Sequence, residues 1–296
     1  MYQGFATYAQ GHSHKEKDIP CPCQDAADFK LGDDYAIAAV SDGHGGEKYF
    51  RSDKGSVLAI KIAIRCLEAF LKNHRERLVN TTEKQQSEIL KDVERHIISE
   101  WREAIEKDFA DRSLEPHEKY ICARYPRNDI PINSFQAYFY GATLLYACMT
   151  PNYSFAAQIG DGASVFLKAD AIVDMPVPGD ERLGFGVTTS LCDSDAANNF
   201  RHYFAPASEG VEAIFLCTDG MVDSFTRDSF PQVNQKILNE MRKNKVLAET
   251  QLQEWLPALS EKGSRDDVAM AGIYQLDESG EKIIPQKPKT ALQFWQ

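Results

Sequence analysis

No part of this chain is apolar for long. A membrane-spanning helix needs roughly 18 to 20 uninterrupted hydrophobic residues, and no window approaches that, so no membrane partner is expected. The N-terminal MYQGFATYAQGHSHKEK has no apolar stretch behind a basic start, so no secretory leader is expected. Basic residues are in deficit, with 33 Lys and Arg against 44 Asp and Glu, a net charge of −11. Nucleic-acid binding needs a basic stripe, and none of useful length is present, which excludes that partner. Cysteines number seven, an odd count, and Cys66, Cys148 and Cys217 lie inside apolar runs. A disulfide framework is therefore not expected, and reduced thiols in the cytoplasm are. Cys21-Pro-Cys23 has no second Cys or His pair at zinc spacing, which leaves a four-ligand site incomplete. Internal repeats and low-complexity tracts are absent too.

What is present suffices for a full core: 296 residues, 43% of them hydrophobic. No linker-like composition divides the chain, so one domain is expected over 1–280. The tail 281–296, with two prolines, three lysines and the ending Phe294-Trp295-Gln296, is expected outside it. Ala26 to Leu31, the turn Gly32-Asp33-Asp34 and the apolar Tyr35 to Val40 read as a hairpin. Two helical stripes follow, Val57, Ile60, Ile64, Leu67, Leu71 and then Ile89, Val93, Ile97, Trp101, Ile105, Phe109, both expected to be packing faces. Residues 111–135 hold Pro116, Pro126 and Pro131 and read as irregular. A second hairpin spans Gly141 to Met149 and Tyr153 to Ile159, and 164–210 mixes short strands with Gly/Pro/Asp-rich loops, with no element given bounds. Ala213 to Cys217 reads as a strand, two shorter helices follow, and Val268 to Tyr274 closes the core. Strands, helices, strands and helices in blocks predict an α+β fold rather than alternating βαβ units.

The segment AIAAVSDGHGG at 36–46 has more than a turn requires: a carboxylate, a histidine and three glycines. It has echoes in FAAQIGDG at 155–162 and AIFLCTDG at 213–220, while SRDDVAMAGIY sets Asp266 and Asp267 before an apolar strand. The start of one antiparallel strand lies beside the end of its partner. Asp25 is thus expected near Asp42, and Asp266 near Asp219 if their strands run antiparallel; Asp161 ends its hairpin in the same manner. Carboxylates gathered on one rim repel unless cations neutralise them, and an all-oxygen set suits Mg²⁺ or Mn²⁺.

Ser41-Asp42-Gly43-His44-Gly45-Gly46, Gly141-Ala142-Thr143-Leu144-Leu145, Ile159-Gly160-Asp161-Gly162, Thr218-Asp219-Gly220 and Ser264-Arg265-Asp266-Asp267 stand in this order. Over roughly 11–276 the chain resembles metal-dependent protein serine/threonine phosphatases of type 2C (the PPM family), in particular the bacterial branch. The resemblance implies a central sandwich of two antiparallel β-sheets flanked by pairs of α-helices, four layers in all. It implies that Asp42, Asp219 and Asp266 ligate one metal, and that Asp42 bridges to a second that takes the Gly43 carbonyl. Asp25 would support the centre, and Asp161 with Asp219 would hold a weaker third ion. Two such cations polarise a phosphoryl group and acidify a bridging water. His44 would protonate the leaving alkoxide. A phosphorylated protein substrate, an opposing Ser/Thr kinase and a monomeric state are the expected partners and assembly.

The chain also departs from that pattern. Many members carry an Arg before the first acidic pair to bind phosphate; here His12 to Lys17 contains none, and His14 or Lys15 is the substitute to test. Gln24 stands where an acidic residue is common, and Asp267 where Asn is usual. A catalytically weak phosphoprotein-binding module and a hydrolase of small phosphorylated metabolites remain the alternatives.

Overall fold

In the computed structural model, residues 1–16, 21–124, 135–183 and 187–276 are described. Strands β1 (Tyr2–Ala9), β2 (Ala26–Leu31), β3 (Ala36–Ser41), β4 (Leu144–Met149), β5 (Tyr153–Ile159), β6 (Ala163–Lys168), β7 (Ile172–Asp174), β8 (Arg201–Pro206), β9 (Val211–Cys217) and β10 (Val268–Gln275) form two five-stranded sheets. One has the order β1-β10-β9-β6-β7, the other β2-β3-β4-β5-β8, and every pairing is antiparallel. The helices are α1 (His12–Lys15), α2 (Ser52–His74), α3 (Glu83–Asp111), α4 (Pro116–Arg124), α5 (Phe135–Phe139), α6 (Ala196–Asn199), α7 (Asp219–Val222), α8 (Ser229–Lys243) and α9 (Lys245–Lys262).

Two-sided burial explains why the central strands are apolar throughout. In β3, Ile37 and Ala39 pack with Leu67 and Leu71 of α2 and Trp101 of α3. Ala36, Ala38 and Val40 point the other way, against Ile214, Leu216 and Ile273 of the opposite sheet. Strand β9 repeats this: Ala213, Phe215 and Cys217 meet α8 and α9, while Ile214 and Leu216 fill the sandwich. A period-2 strand with both faces covered shows no polar alternation. The layers are therefore helix, sheet, sheet, helix, the four expected.

α2 lies close on its sheet because small residues face it. Ala59 and Ala63 are fully buried, and a Cβ on Gly55 would come 1.9 Å from the Tyr140 carbonyl oxygen. Leu67 is completely enclosed, a burial worth about 1.5–3 kcal/mol. Val57, expected on this face, is 36% exposed, because the close-packed stripe runs through the alanines instead. α3 starts earlier than the apolar stripe suggests: Thr82 and Gln85 form a reciprocal capping box that satisfies two free backbone donors. Trp101, buried on α3, donates its Nε1–H to the Gly55 carbonyl at 3.0 Å.

Two expectations need correction and one gains bounds. Residues 111–135 are not uniformly irregular, since α4 begins with Pro116, a residue suited to a first helical turn where its missing N–H is no loss. The short strands expected among the loops of 164–210 are β6, which begins at Ala163, β7 and β8. The N-terminal residues, read only for the absence of a leader, form β1, paired along its length with β10 from Tyr2↔Gln275 to Ala9↔Val268. β7 and β8 are edge strands with partly exposed side chains, so they lack the apolar run that marks β3 or β9. The tail 281–296 lies outside the described residues. No helix among the described residues is long and apolar enough to cross a membrane.

Candidate metal centre

The sheet registers deliver the carboxylates. Ala26 pairs with Ser41, which sets the next residues outward, Asp25 and Asp42, at one end of the hairpin. Met270 pairs with Cys217, so Asp219 and the Asp266–Asp267 pair meet at the same end of the other sheet. Asp161 follows β5 by two residues. Side-chain oxygens of Asp42, Asp161 and Asp219 lie within 4.8 Å of one another. Asp266 lines the same cleft, of about 560 Å³, but its side chain is 57% exposed and it falls outside that triad. Asp25 is buried behind the cleft, where Thr218 Oγ1 donates to its Oδ2 at 2.7 Å. That bond joins the two sheets, since Asp25 precedes β2 and Thr218 follows β9.

Charge is crowded here without compensation. Burial first, and then the neighbouring aspartates, push the carboxyls of Asp25 and Asp42 well above the ordinary carboxylate range. Asp219 is pushed up to about 7, by burial and then by Asp161 and Asp266. No Lys or Arg is among the described residues lining the cleft. Oxygen donors that are costly to ionise alone are suited to hard divalent cations. Among the described residues this is the one acidic, Cys or His cluster with such geometry. Cys21 and Cys23 instead donate weakly to Gln24 Oε1 and the Asp25 carbonyl.

The loop after Asp42 is clamped from three sides. Thr143 Oγ1 accepts from the Asp42 N–H at 2.9 Å, and Asp42 O accepts from the Thr143 N–H at 2.8 Å. His44 N–H donates to the Gly141 carbonyl at 2.9 Å, and its own carbonyl accepts from the Gln24 amide at 3.0 Å. The same amide reaches Ser52 Oγ at the start of α2. A Cβ on Gly43 would stand 2.6 Å from Ser52 O and 2.7 Å from Gln24 O, so only glycine fits between these backbones. Gly220 has the same reason, with Asp267 O at 1.9 Å from a built Cβ. The glycine after Asp42 and that after Asp219 therefore serve close approach more than chain reversal. His44 is buried against the Tyr49 ring, centroids 4.9 Å apart. Burial, and then the Lys48 charge, push its imidazole pKa down to about 4.

The cleft thus brings together Asp42, Gly43, His44, Asp161, Asp219 and Asp266, with Asp25 enclosed behind them. His14 lines it too, but its Nδ1 lies 3.1 Å from Asp267 Oδ1 and it is 6% exposed. Lys15 is exposed and not among the lining residues. Asp267 points away from a ligand role. Its oxygens accept from Gly11 N–H at 2.5 Å and Gln24 N–H at 2.6 Å. Burial raises its pKa, but His14 and those two N–H groups outweigh that and hold it below the ordinary value. Sequence reading quoted Thr143 and Thr218 within motifs but gave them no role, and it did not single out Tyr49 or Ser190, which line the cleft. Thr218 alone carried a signal, as the residue before an Asp-Gly that echoes Ser41.

The family model described as Protein phosphatase 2C matches residues 10–257. Sequence comparison with curated proteins finds no match. Among solved structures, the serine/threonine phosphatase Stp1 from Staphylococcus aureus is similar at 12% identity, with a TM-score of 0.56 over 94% of this chain and 96% of that one. PppA, a key regulatory component of T6SS in Pseudomonas aeruginosa, is similar at 13% identity and a TM-score of 0.51, over 92% and 97% of the two chains. The catalytic domain of the serine/threonine protein phosphatase PstP, in complex with two manganese ions, is similar at 14% identity and a TM-score of 0.52, over 93% and 99%. At these identities the likeness is one of fold, and it extends over nearly the whole of each chain.

Proposed function

The chain belongs to the protein phosphatase 2C family, and from its membership as a metal-dependent protein serine/threonine phosphatase we propose how its own residues carry the reaction. Asp42 and Asp219 would hold the ions, joined by Asp266 and the Gly43 carbonyl, with Asp161 completing a weaker third site. Asp25 would steady the centre from behind through its hydrogen bond to Thr218. The observation that carries this reading is the convergence of Asp42, Asp161 and Asp219 in a cleft whose described lining holds no Lys or Arg. Mn²⁺ and Mg²⁺ both suit the donor set, and manganese is the ion held by PstP. When bound, the ions supply an activated water and polarise the phosphoryl oxygens.

His44 is the proton donor to the departing seryl or threonyl oxygen. It lies two residues from Asp42 in the same cleft, fixed by the Gly141 carbonyl and the Tyr49 ring. Because its imidazole is neutral in the free protein near pH 7, it takes up the proton when the phosphate's negative charge arrives beside it. His14 stays a second, weaker contact to phosphate, tied as it is to Asp267. The substrate is a phosphorylated protein supplied by a Ser/Thr kinase, and the enzyme acts on it as a monomer in the cytoplasm.

Hydrolysis of phosphopeptides and of an activated aryl phosphate, with Mn²⁺, Mg²⁺ and chelator compared, tests this. Turnover should depend on added divalent ion and vanish with chelator. Turnover insensitive to chelator would overturn the metal assignment.

A further inference from the structure

The loop that carries Asp42 and His44 also carries a cation that metal-dependent hydrolysis does not use. Lys48 sits in the single turn Glu47–Tyr49 and is half-buried. Its ammonium stands 4.7 Å from the ring centroid of Tyr49 and 5.0 Å from that of Tyr138. The two rings are 5.3 Å apart and make a two-sided seat for the charge. Its immediate neighbour Glu47 is engaged by Arg124 Nη1 at 3.0 Å, and among the described residues no carboxylate pairs with Lys48. The Tyr138 hydroxyl raises the lysine's pKa, burial opposes it, and Tyr49 adds to the rise, so the group stays charged. An ammonium has three donors and no acceptor, and a lysine held by two rings is more ordered than an ordinary surface lysine.

Its position gives the charge an object. The Tyr49 ring lines the cleft and lies edge-on to His44, 4.9 Å between centroids. Laid end to end with the Lys48–Tyr49 span, this keeps the ammonium within about 10 Å of the imidazole, a reach of about three extended residues. Lys48 is not itself among the cleft-lining residues, so Tyr49 separates it from the phosphoryl position. On a chain of net charge −11, and beside a cleft lined by six aspartates, an acidic substrate flank meets repulsion unless a fixed cation offsets it.

We propose that Lys48, seated on Tyr49 and Tyr138, receives an Asp or Glu side chain of the substrate within three positions of the phosphorylated Ser or Thr. This rests on the phosphatase reading above and adds a sequence preference to it. The hydrolysed phosphate itself stays with the metal centre and His44; Lys48 reads the flank.

Phosphopeptides that differ only in Glu against Gln, scanned over the three positions on each side of the phosphoresidue, test this through kcat/KM with Mn²⁺. At one or more positions the Glu peptide should be favoured roughly fivefold at low salt, the worth of a well-formed exposed pair, and the ratio should shrink with ionic strength. Lys48→Gln should bring the ratio to one, Lys48→Arg should keep it, and Lys48→Glu should invert it. The ratio is taken within each protein, so a general loss of activity cancels. A preference that survives Lys48→Gln, or a wild-type chain with none at any position, overturns the inference. A wild-type chain that hydrolyses neither peptide with Mn²⁺ removes the phosphatase reading and this inference with it.

Discussion

Asp42 and His44 are neighbours in one loop, yet their removal should read out differently. Asp42→Asn should lower turnover of every phosphate ester by orders of magnitude, because it strips a charge that, on the proposed reading, would hold the ions. His44→Ala should cost roughly 10²-fold or more on phosphopeptide and much less on an aryl phosphate whose phenol leaves unaided. Parallel assays of the two esters check this, and equal losses on both would leave His44 without a proton to give. Gly220→Ala should destabilise by about 1–3 kcal/mol, the cost of overpacking, since the new methyl meets the Asp267 carbonyl. Gly45→Ala, with nothing within 4 Å of its Cβ, should leave the urea midpoint where it is. The aspartates were legible because each ends or precedes an apolar run. The work of Asp267 was not: its N–H donors lie 256 and 243 residues away in sequence, and no local pattern encodes them.

At the scale of elements, the entrance to α2 decides how the loop is held. Arg51 donates through Nε and Nη2 to the two oxygens of Glu118, at 2.8 and 2.9 Å, and through Nη1 to the Tyr140 hydroxyl at 2.9 Å. That hydroxyl donates to Asp108 Oδ2 at 2.7 Å. One guanidinium thus ties the start of α2 to the end of α3, to α4 and to the residue before Gly141, whose carbonyl holds His44. Glu118→Ala leaves the buried Arg51 with Asp108, 3.8 Å from Nη1, as its remaining counter-charge and strips two donors of their acceptor, so unfolding stability should fall by roughly 1–3 kcal/mol, measured by urea titration. α2 and α3 were readable from their four-residue spacing, as were the hairpins from turn residues between apolar runs. α4 was not, because its leading proline reads as a break. β8 was not, because RHYFAP is an edge strand with half-exposed side chains and carries no run.

For the whole molecule, the carboxylates divide between the sheets: Asp25 and Asp42 adjoin strands of one, Asp219 and Asp266 those of the other, and Asp161 stands between β5 of the first and β6 of the second. Bound cations would pin the sandwich across its seam, and without them the site works against folding. The folded carboxyls titrate above their unfolded values, Asp219 about 7 against 3.8. Raised pKa values of this kind stabilise below about pH 4, and that contribution is lost as pH rises through about 7. In chelator, then, the Tm should fall between pH 5 and pH 8, and Mn²⁺ should restore it most at pH 8. A Tm flat across that range in chelator would show that the carboxyls are not strained. The domain was expected to end near 280, and β10 closes at Gln275. A chain ending at Leu276 should therefore keep full turnover of the aryl phosphate, and a collapse of folded yield would count the tail as core.

The pairing of β1 with β10 has a consequence for how the molecule is made. β1 hydrogen-bonds to no strand but β10, and β10 is the last strand among the described residues. During translation, β1 leaves the ribosome with an open edge and keeps it until β10 has followed. Asp266, two residues before β10, arrives equally late, so a nascent chain should be devoid of activity until β10 has emerged. Such distant pairing slows folding and prolongs exposure of unpaired strand edges. This phosphatase should accordingly lean on a chaperone that shields β1 during synthesis.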